Sequence, residues 1–243
     1  MLAPLLLASV LGVAAAVEAQ TPVEAARALV QRYHLDASAL DRARNLLSAA
    51  LARDSQVETM IMLSYVDFLW ADTRAATAEA KLEAYERGRR VGERAVELAP
   101  RNVDAHLWYA INTARWGQTK GIMRSLFLLP TVRREIETIL ELDPRSARAH
   151  ALAGNVAMEV PRVAGGDRGK AETHFKKGLE LDPRFTVLRV DLARLYIGDG
   201  RYDAARQELM RVVDERAPTM VADWTVKDVP RARALLESIR DKR

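Results

Sequence analysis

The chain has 243 residues, of which 49% are hydrophobic and 12 are glycine, and its formal net charge is +4. It has no cysteine, which excludes disulfide bonds, thiolate metal sites, cysteine nucleophiles and lipid-bearing cysteines. Positive and negative side chains alternate along the helical segments, and no basic block with interleaved aromatic residues indicates a nucleic-acid partner.

The N-terminal segment differs from the rest of the chain. Residues 1–19 are almost all apolar, and Val17-Glu18-Ala19 resembles a cleavage site before Gln20, although no basic residue precedes the apolar run. We expect residues 1–19 to be a secretory signal peptide and residues 20–243 to be one exported, periplasmic domain. The alternative left open is an uncleaved membrane anchor.

Three copies of one short motif end three of the predicted helices. They are Glu97–Arg101, Glu141–Arg145 and Glu180–Arg184, and each has proline at its fourth position. Proline stops a helix because it lacks an amide donor and clashes with the preceding turn. The run before the third copy has the spacing of the second helix of a tetratricopeptide (TPR) repeat, with Ala171, Phe175, Gly178 and Pro183.

Apolar periodicity predicts helices along the whole domain. Their expected bounds include Thr21–Tyr33, Ala37–Arg53, Val57–Trp70, Glu79–Leu98, Asp104–Trp116, Thr131–Leu142 and a final amphipathic helix, Pro230–Arg240. Gly88 and Gly92, one turn apart, indicate close approach of a neighbouring helix, and Gly117 predicts a turn. The fold class is therefore all-α: a TPR-like α-solenoid of stacked helical hairpins with irregular repeats and a C-terminal capping helix.

The repeats are unequal in length. Pro100 and Pro144 are 44 residues apart, whereas the usual TPR period is about 34. The extra residues end at Pro130 and include Leu126, Phe127 and Leu128, which are apolar on every side of a helix turn. Such a run packs back on the solenoid, forms a subunit or partner interface, or touches lipid; we expect it to contribute to an interface.

A second insertion contains Gly165, Gly166 and Asp167. A phosphate-binding loop is excluded, because alanine stands at position 164 and again after Lys170 where that motif needs glycine and serine or threonine. The two glycines instead predict positive φ in a turn, and Asp167 predicts a helix N-cap.

No catalytic motif is present, so the sequence predicts neither an enzyme nor a cofactor. His106 and His150 each lie six residues after a repeat proline, which makes them equivalent positions in successive units. Since no third ligand recurs with them, a metal site is not predicted.

The concave surface is the candidate site. In a regular TPR stack, positions 2, 5, 9 and 12 of the first helices line it, which here predicts a groove of Met62, Val66, Leu69, Leu107, Ile111, Arg148, Asn155, Met158, Val190 and Arg194. Such a lining suits an amphipathic helix or peptide, or a hydrophobic small molecule, with arginine meeting a carboxylate. The alternative is that a further helix of the same chain fills the groove.

Several motifs resemble known helical-repeat families. They are Tyr85-Glu86-Arg87-Gly88, Ala105-His106-Leu107-Trp108-Tyr109-Ala110, Gly121-Ile122, and Pro161 through Gly165-Gly166-Asp167 to Lys170-Ala171. From about Asp41 to Ile239 the chain resembles the periplasmic T components of TRAP transporters and is similar to the regulator of microtubule dynamics proteins. The first resemblance implies a periplasmic scaffold that associates with a substrate-binding protein, or forms a homo-oligomer. We therefore expect a non-enzymatic envelope scaffold, with a carrier of a hydrophobic small molecule as the alternative.

Overall fold

The computed structural model describes residues 20–242, so the predicted signal peptide lies outside the described residues. The helices are α1 (Pro22–Gln31), α2 (Ala39–Arg53), α3 (Val57–Thr73), α4 (Ala78–Leu98), α5 (Val103–Lys120), α6 (Ile122–Leu142), α7 (Ala147–Glu159), α8 (Arg168–Leu181), α9 (Thr186–Gly198), α10 (Tyr202–Asp214), α11 (Val221–Asp223) and α12 (Val229–Ser238). A 3₁₀ turn, Arg162–Ala164, precedes α8, and a π-helical turn, Trp224–Asp228, joins α11 to α12. This architecture confirms the predicted all-α TPR-like solenoid. Within residues 20–242, we find no helix with the length and apolar character needed to cross a bilayer.

Two helix N-caps are present, at Thr21 and at the predicted position Asp167. The Thr21 hydroxyl accepts from the Glu24 amide at 3.2 Å while the Glu24 carboxylate accepts from the Thr21 amide at 2.9 Å. This reciprocal pair is a capping box and begins α1. Asp167 caps α8 by accepting from the Lys170 amide at 3.1 Å.

Of the two glycines that were predicted to have a positive φ in the turn before α8, one does. Gly165 has a φ of 87°, but Gly166 does not have a positive φ. Gly166 is required for a different reason, since a Cβ there would lie 1.7 Å from the Val160 carbonyl oxygen. The backbone of the turn passes directly over the end of α7.

The predicted close approach at Gly88 and Gly92 is confirmed. A Cβ on Gly88 would lie 2.7 Å from the Asn112 side chain, and one on Gly92 would lie 3.0 Å from Tyr109 Cα. The space is used for hydrogen bonds, because Ser64 donates to the Gly88 carbonyl at 2.8 Å and Asn112 donates to the Ser64 carbonyl at 3.0 Å. Helix α4 therefore lies tightly between α3 and α5.

A buried carboxylate joins the first three long helices. Asp67 on α3 is fully buried and accepts from Arg44 Nε on α2 at 2.9 Å and from Arg87 Nε on α4 at 2.8 Å. Burial raises the pKa of Asp67, and the two guanidinium groups oppose that rise. Such a group is stable in the interior only while both partners remain.

The long second repeat differs from the prediction at both ends of its insertion. Gly117 is no turn; it lies inside α5, where a Cβ would meet Leu128 and Ser125 at 3.2 Å. The chain turns at Gly121, with φ of 107°, and α6 then continues through Pro130. The predicted start at Thr131 is wrong because Pro130 is exposed and forfeits only the bond to the Leu126 carbonyl.

One contact recurs in three successive units. The residue six positions after each repeat proline contacts that proline's carbonyl oxygen: His106 with Pro100 at 2.9 Å, His150 with Pro144 at 3.4 Å and Arg189 with Pro183 at 2.9 Å. Each also reaches the second helix of its unit, where its partner is Glu135, His174 or Glu208 respectively. The equivalent histidines therefore have a structural role that arginine also performs.

The C-terminal part of the chain returns to the beginning. Residues 220–231, called here the closing segment, lie against the concave side of the solenoid. Tyr33, in the turn after α1, donates to Asp223 at 2.7 Å, and Lys227 contacts Asp72 on α3 at 3.2 Å. Ala222 is buried among residues of α1, α2 and α3. The alternative that the chain covers its own groove is thus found in part, since a cavity remains beneath the closing segment.

Candidate functional site

The candidate site is a cavity of about 510 Å³ between the first helices of the repeats and the closing segment. Helices α3, α5, α7 and α9, the N-terminal part of α6 and the closing segment all contribute to its walls. An aromatic wall runs along α3 and α5. The Tyr65 ring stacks on Trp108 with centroids 4.1 Å apart, and the Phe68 centroid is 5.8 Å from that of Trp108.

Four of the ten predicted groove residues line this cavity: Ile111, Arg148, Asn155 and Arg194. Five others are buried and do not line this cavity: Met62, Val66, Leu69, Leu107 and Val190. Leu107 instead lines a second, smaller cavity next to Val103 and Arg148. Met158 packs against the C-terminal core cluster. These placements have a physical cause. Helices α3 and α5 contact each other directly through the aromatic wall, and the closing segment covers part of the concave side, so positions that are open in a regular superhelix are covered here.

Sequence reasoning missed the aromatic wall and the closing segment. Tyr65 and Trp108 each lie one position from a residue that was predicted for the groove, so a rotated helix register would have identified them. The contribution of Asp223, Lys227 and Asp228 had no local signal, because these residues are far from α3 in the chain.

One cation of the cavity, Arg148, has no carboxylate partner among residues 20–242. Its guanidinium carbon lies 5.8 Å from the Trp108 ring centroid, and its polar contact is the Met220 sulfur at 3.7 Å. A thioether is a weak acceptor, so most of the five guanidinium donors face the cavity or solvent.

A buried hydroxyl lies near this arginine. The Tyr65 hydroxyl is buried and has no hydrogen-bond partner within the described part of the chain. Burial raises the pKa of Tyr65, Asp223 adds to that rise, and the positive charge of Arg148 opposes it. Arg148 and Tyr65 thus both line the cavity, and they bring to it a cation without a carboxylate partner and, just beneath the surface, a hydroxyl without a hydrogen-bond partner.

Most other charged groups of the cavity are paired internally, although Arg231 also lines it, is exposed and has no carboxylate partner among residues 20–242. Arg194 pairs with Asp191 at 3.2 Å and with Glu159 at 3.3 Å, and Asn155 donates to Asp191 at 2.7 Å. Lys227 pairs with Asp72. Although burial alone raises the pKa of Asp72, Lys227 and Arg115 hold it below its usual value. An incoming anion would therefore meet Arg148 before these paired residues.

Asp228 is the buried acid of the closing segment. It accepts from the Thr186 hydroxyl at 2.7 Å. Burial raises the pKa of Asp228 to about 6, the Thr186 bond opposes this, and Asp223 adds to it. Its carboxyl group is therefore partly protonated just below neutral pH.

The predicted interface residues point in different directions. Leu126 lines the cavity, and Leu128 packs against Gly117 of α5. Phe127 faces outward with 72% of its surface exposed. For metals, residues 20–242 contain no cluster of three or more histidine, aspartate or glutamate side chains arranged as ligands.

Comparison with known proteins identifies two families. The sequence profile of the regulator of microtubule dynamics protein 1-3 family matches residues 23–165, and a tetratricopeptide-repeat profile matches residues 162–223. A thermophilic TPR protein of Thermus thermophilus has a similar solved structure, with a TM-score of 0.66 and 22% identity over 89% of this chain and 100% of that one. At this identity the similarity shows the fold alone.

Curated relatives carry the name of the first of these families. Regulator of microtubule dynamics protein 3 of Rattus norvegicus is 24% identical over 179 residues, which cover 61% of this chain and 38% of that protein. Regulator of microtubule dynamics protein 2 of Mus musculus is 26% identical over 117 residues, which cover 45% and 28%. The chain thus spans less than two fifths of the length of these relatives. Because the first profile matches more than half of it, the chain belongs to the regulator of microtubule dynamics protein 1-3 family and has a tetratricopeptide-repeat fold.

Proposed function

We propose that the chain is a non-enzymatic scaffold that binds a segment of a protein partner in its central cavity, with a carboxylate of that segment at Arg148 and Tyr65. The observation that carries this proposal is the pair of unused polar groups beside the aromatic wall. The TPR fold supports it, since this fold generally binds proteins, and both families are of the scaffold type.

The energetics favour an anionic group at this position. A buried hydroxyl without a partner costs about 1–3 kcal/mol, whereas a hydrogen bond to a charged group contributes about 1.5–3 kcal/mol. A carboxylate oxygen could accept from Tyr65 and from Arg148 at once. The apolar part of the same residue or its neighbour would then lie on Trp108 and Ile111.

The enclosed volume favours a second candidate, a carrier of a hydrophobic small molecule. A cavity of about 510 Å³ falls in the range of small-molecule sites, about 300–1,000 Å³. The closing segment restricts access to this space, so a peptide would enter as one or two side chains with a short backbone stretch. Both candidates use the same Arg148 anchor, and they differ in what is recovered bound to the protein.

We also propose that the protein acts in the periplasm and that its partner is a component of a transport system, such as a substrate-binding protein. The apolar residues 1–19 and the cleavage-like sequence before Gln20 support export. N-terminal sequencing of the protein from its native host tests this. A mature chain beginning at Gln20 or Thr21 is expected, and Met1 on a membrane-bound protein would contradict it.

A random peptide library tests the binding proposal. Wild-type protein should select peptides that combine an acidic residue or free C-terminus with an aromatic or long aliphatic residue. Arg148→Met keeps the apolar stem but removes the charge and should lose the acidic preference. Arg53→Met is the matched control, because Arg53 is exposed and does not line the cavity. Equal selection by wild-type protein and Arg148→Met would overturn the proposal, whereas an apolar compound released on denaturation would support the carrier.

A further inference from the structure

The outer face of the N-terminal half of α6 is apolar. Met123, Phe127, Pro130 and Arg134 follow helical spacing along one exposed stripe of α6. The side chains of Met123 and Phe127 are 78% and 72% exposed. Leaving such side chains in water is unfavourable, so their grouping on one face indicates a surface that becomes covered.

The same hairpin carries one sign of charge. Between Asp104 and Glu135 the sequence contains Arg115, Lys120, Arg124, Arg133 and Arg134 and no aspartate or glutamate. Arg133 donates to the Ala164 carbonyl at 2.9 Å, and Arg115 lies 3.9 Å from Asp72. The other basic residues therefore set the charge of the turn between α5 and α6.

Lys120 and Arg124 have no carboxylate partner within residues 20–242 and are exposed. Both lie over Trp116, with the Lys120 nitrogen 5.8 Å and the Arg124 guanidinium carbon 5.7 Å from its ring centroid. Arg124 also lies 5.6 Å from the Phe127 ring centroid, so a cation and an apolar ring are presented together. The nearby carboxylate of Glu159 accepts from Gln118 of α5 at 2.6 Å and is already paired with Arg194.

We propose that this α6 face, made of Met123, Arg124 and Phe127 together with the adjoining Lys120 at the end of α5, docks on an anionic lipid surface. A helix face that combines long apolar side chains with basic residues inserts its apolar part at the level of lipid headgroups, while the cations contact lipid phosphates. A second copy of the chain is a poorer occupant, because a two-fold contact would bring these unpaired cations against each other. The proposal does not depend on occupancy of the cavity, since the docking side chains face away from it.

Co-sedimentation of the full chain with lipid vesicles tests the proposal. Wild-type protein should bind phosphatidylcholine vesicles that contain phosphatidylglycerol, bind pure phosphatidylcholine vesicles weakly, and lose binding as salt is raised. Arg124→Glu reverses a charge at the surface, and because each charge near an anionic membrane changes binding roughly fivefold, it should lower binding at least about tenfold. Met123→Ser with Phe127→Ser should lower binding by a similar factor.

Two control variants isolate the α6 face. Val163→Ser changes a side chain that is 100% exposed elsewhere, and Arg53→Glu reverses an exposed charge on α2; both should bind like wild-type protein. Residues 1–19 are identical in every sample, so differences among variants report the α6 face. Circular dichroism should show unchanged helicity for all of them. Absence of wild-type binding, equal binding to neutral vesicles, or wild-type binding by the α6 variants would overturn the proposal in favour of a protein-facing surface.

Discussion

The Tyr33 hydroxyl donates a hydrogen bond to Asp223 at 2.7 Å, which joins the turn after the first helix to the closing segment across 190 positions of the chain. This contact, with Lys227 and Asp72, turns an open row of hairpins into a ring around a cavity. A solenoid whose ends meet is more cooperative than an open one, because its terminal units are no longer free to fray.

Removing this hydrogen bond should loosen the closing segment. Tyr33→Phe keeps the ring but leaves Asp223 without its donor, so the free energy of unfolding should fall by about 1–2 kcal/mol. Amide hydrogen exchange should increase most in residues 220–231. Tyr202→Phe is the matched control, because the Tyr202 ring packs on the core and its hydroxyl bonds to no side chain within residues 20–242, and a shift of less than about 0.5 kcal/mol is expected there.

The buried Asp67 site should be far more sensitive than a surface ion pair. Arg44→Met leaves a buried carboxylate with one guanidinium, and loss of about 3 kcal/mol of stability is expected. Arg42→Met removes a partner of Asp36 at the surface and should cost less than about 1 kcal/mol. Urea denaturation of both variants measures the difference. Equal losses would mean that burial does not govern these ion pairs.

The His150–His174 contact predicts destabilisation by acid. The ring nitrogens are 3.0 Å apart. Burial lowers the pKa of both histidines. The positive charge of Lys177 also lowers the pKa of His150, and His150 also lowers that of His174. Between these lowered values and the ordinary value of about 6.5 the unfolded chain binds more protons, so stability falls as pH falls below about 6.5. His174→Gln should flatten the melting temperature against pH in this window, and an unchanged slope would show that the pair does not titrate.

Asp228 predicts that stability changes with pH in the opposite direction. Its pKa is about 6 in the folded protein because of burial, and about 3.8 when unfolded, so the folded state binds more protons between these values. Its contribution is therefore favourable at low pH and is lost as pH rises through about 6. Asp228→Asn mimics the protonated form, and should raise stability above neutral pH by about 1–3 kcal/mol. The exposed Asp241→Asn should change little, and a destabilised Asp228→Asn at pH 8 would show that the charge is needed for folding.

The sequence predicted the elements better than their arrangement. Caps such as Thr21 and Asp167 act within one helical turn, so their residue types reveal them. Gly117 was predicted to form a turn and Pro130 to precede a helix, but both lie inside helices. Glycine also occurs where two helices touch, and an exposed proline is tolerated inside a helix at the loss of one backbone hydrogen bond. The sequence of one helix does not distinguish these cases, because they depend on the neighbouring helix.

The candidate site was predicted in outline only. Ile111, Arg148, Asn155 and Arg194 were identified because their repeat register is regular. Tyr65 and Trp108 were missed because α3 and α5 are rotated so that their aromatic rings meet. The closing segment was missed because the distance between Tyr33 and Asp223 in the chain leaves no local pattern to read.

Calorimetric titration of one library-selected peptide in two forms, with its carboxylate intact and with that group converted to an amide, tests directly whether Arg148 receives a carboxylate. Wild-type protein should bind the acid form at least about tenfold more tightly, since a charge-assisted hydrogen bond contributes about 1.5–3 kcal/mol. Arg148→Met should bind the two forms equally, while Arg53→Met keeps the preference. If wild-type protein and Arg148→Met show the same ratio of affinities, Arg148 does not receive a carboxylate and the cavity is not a carboxylate-binding site.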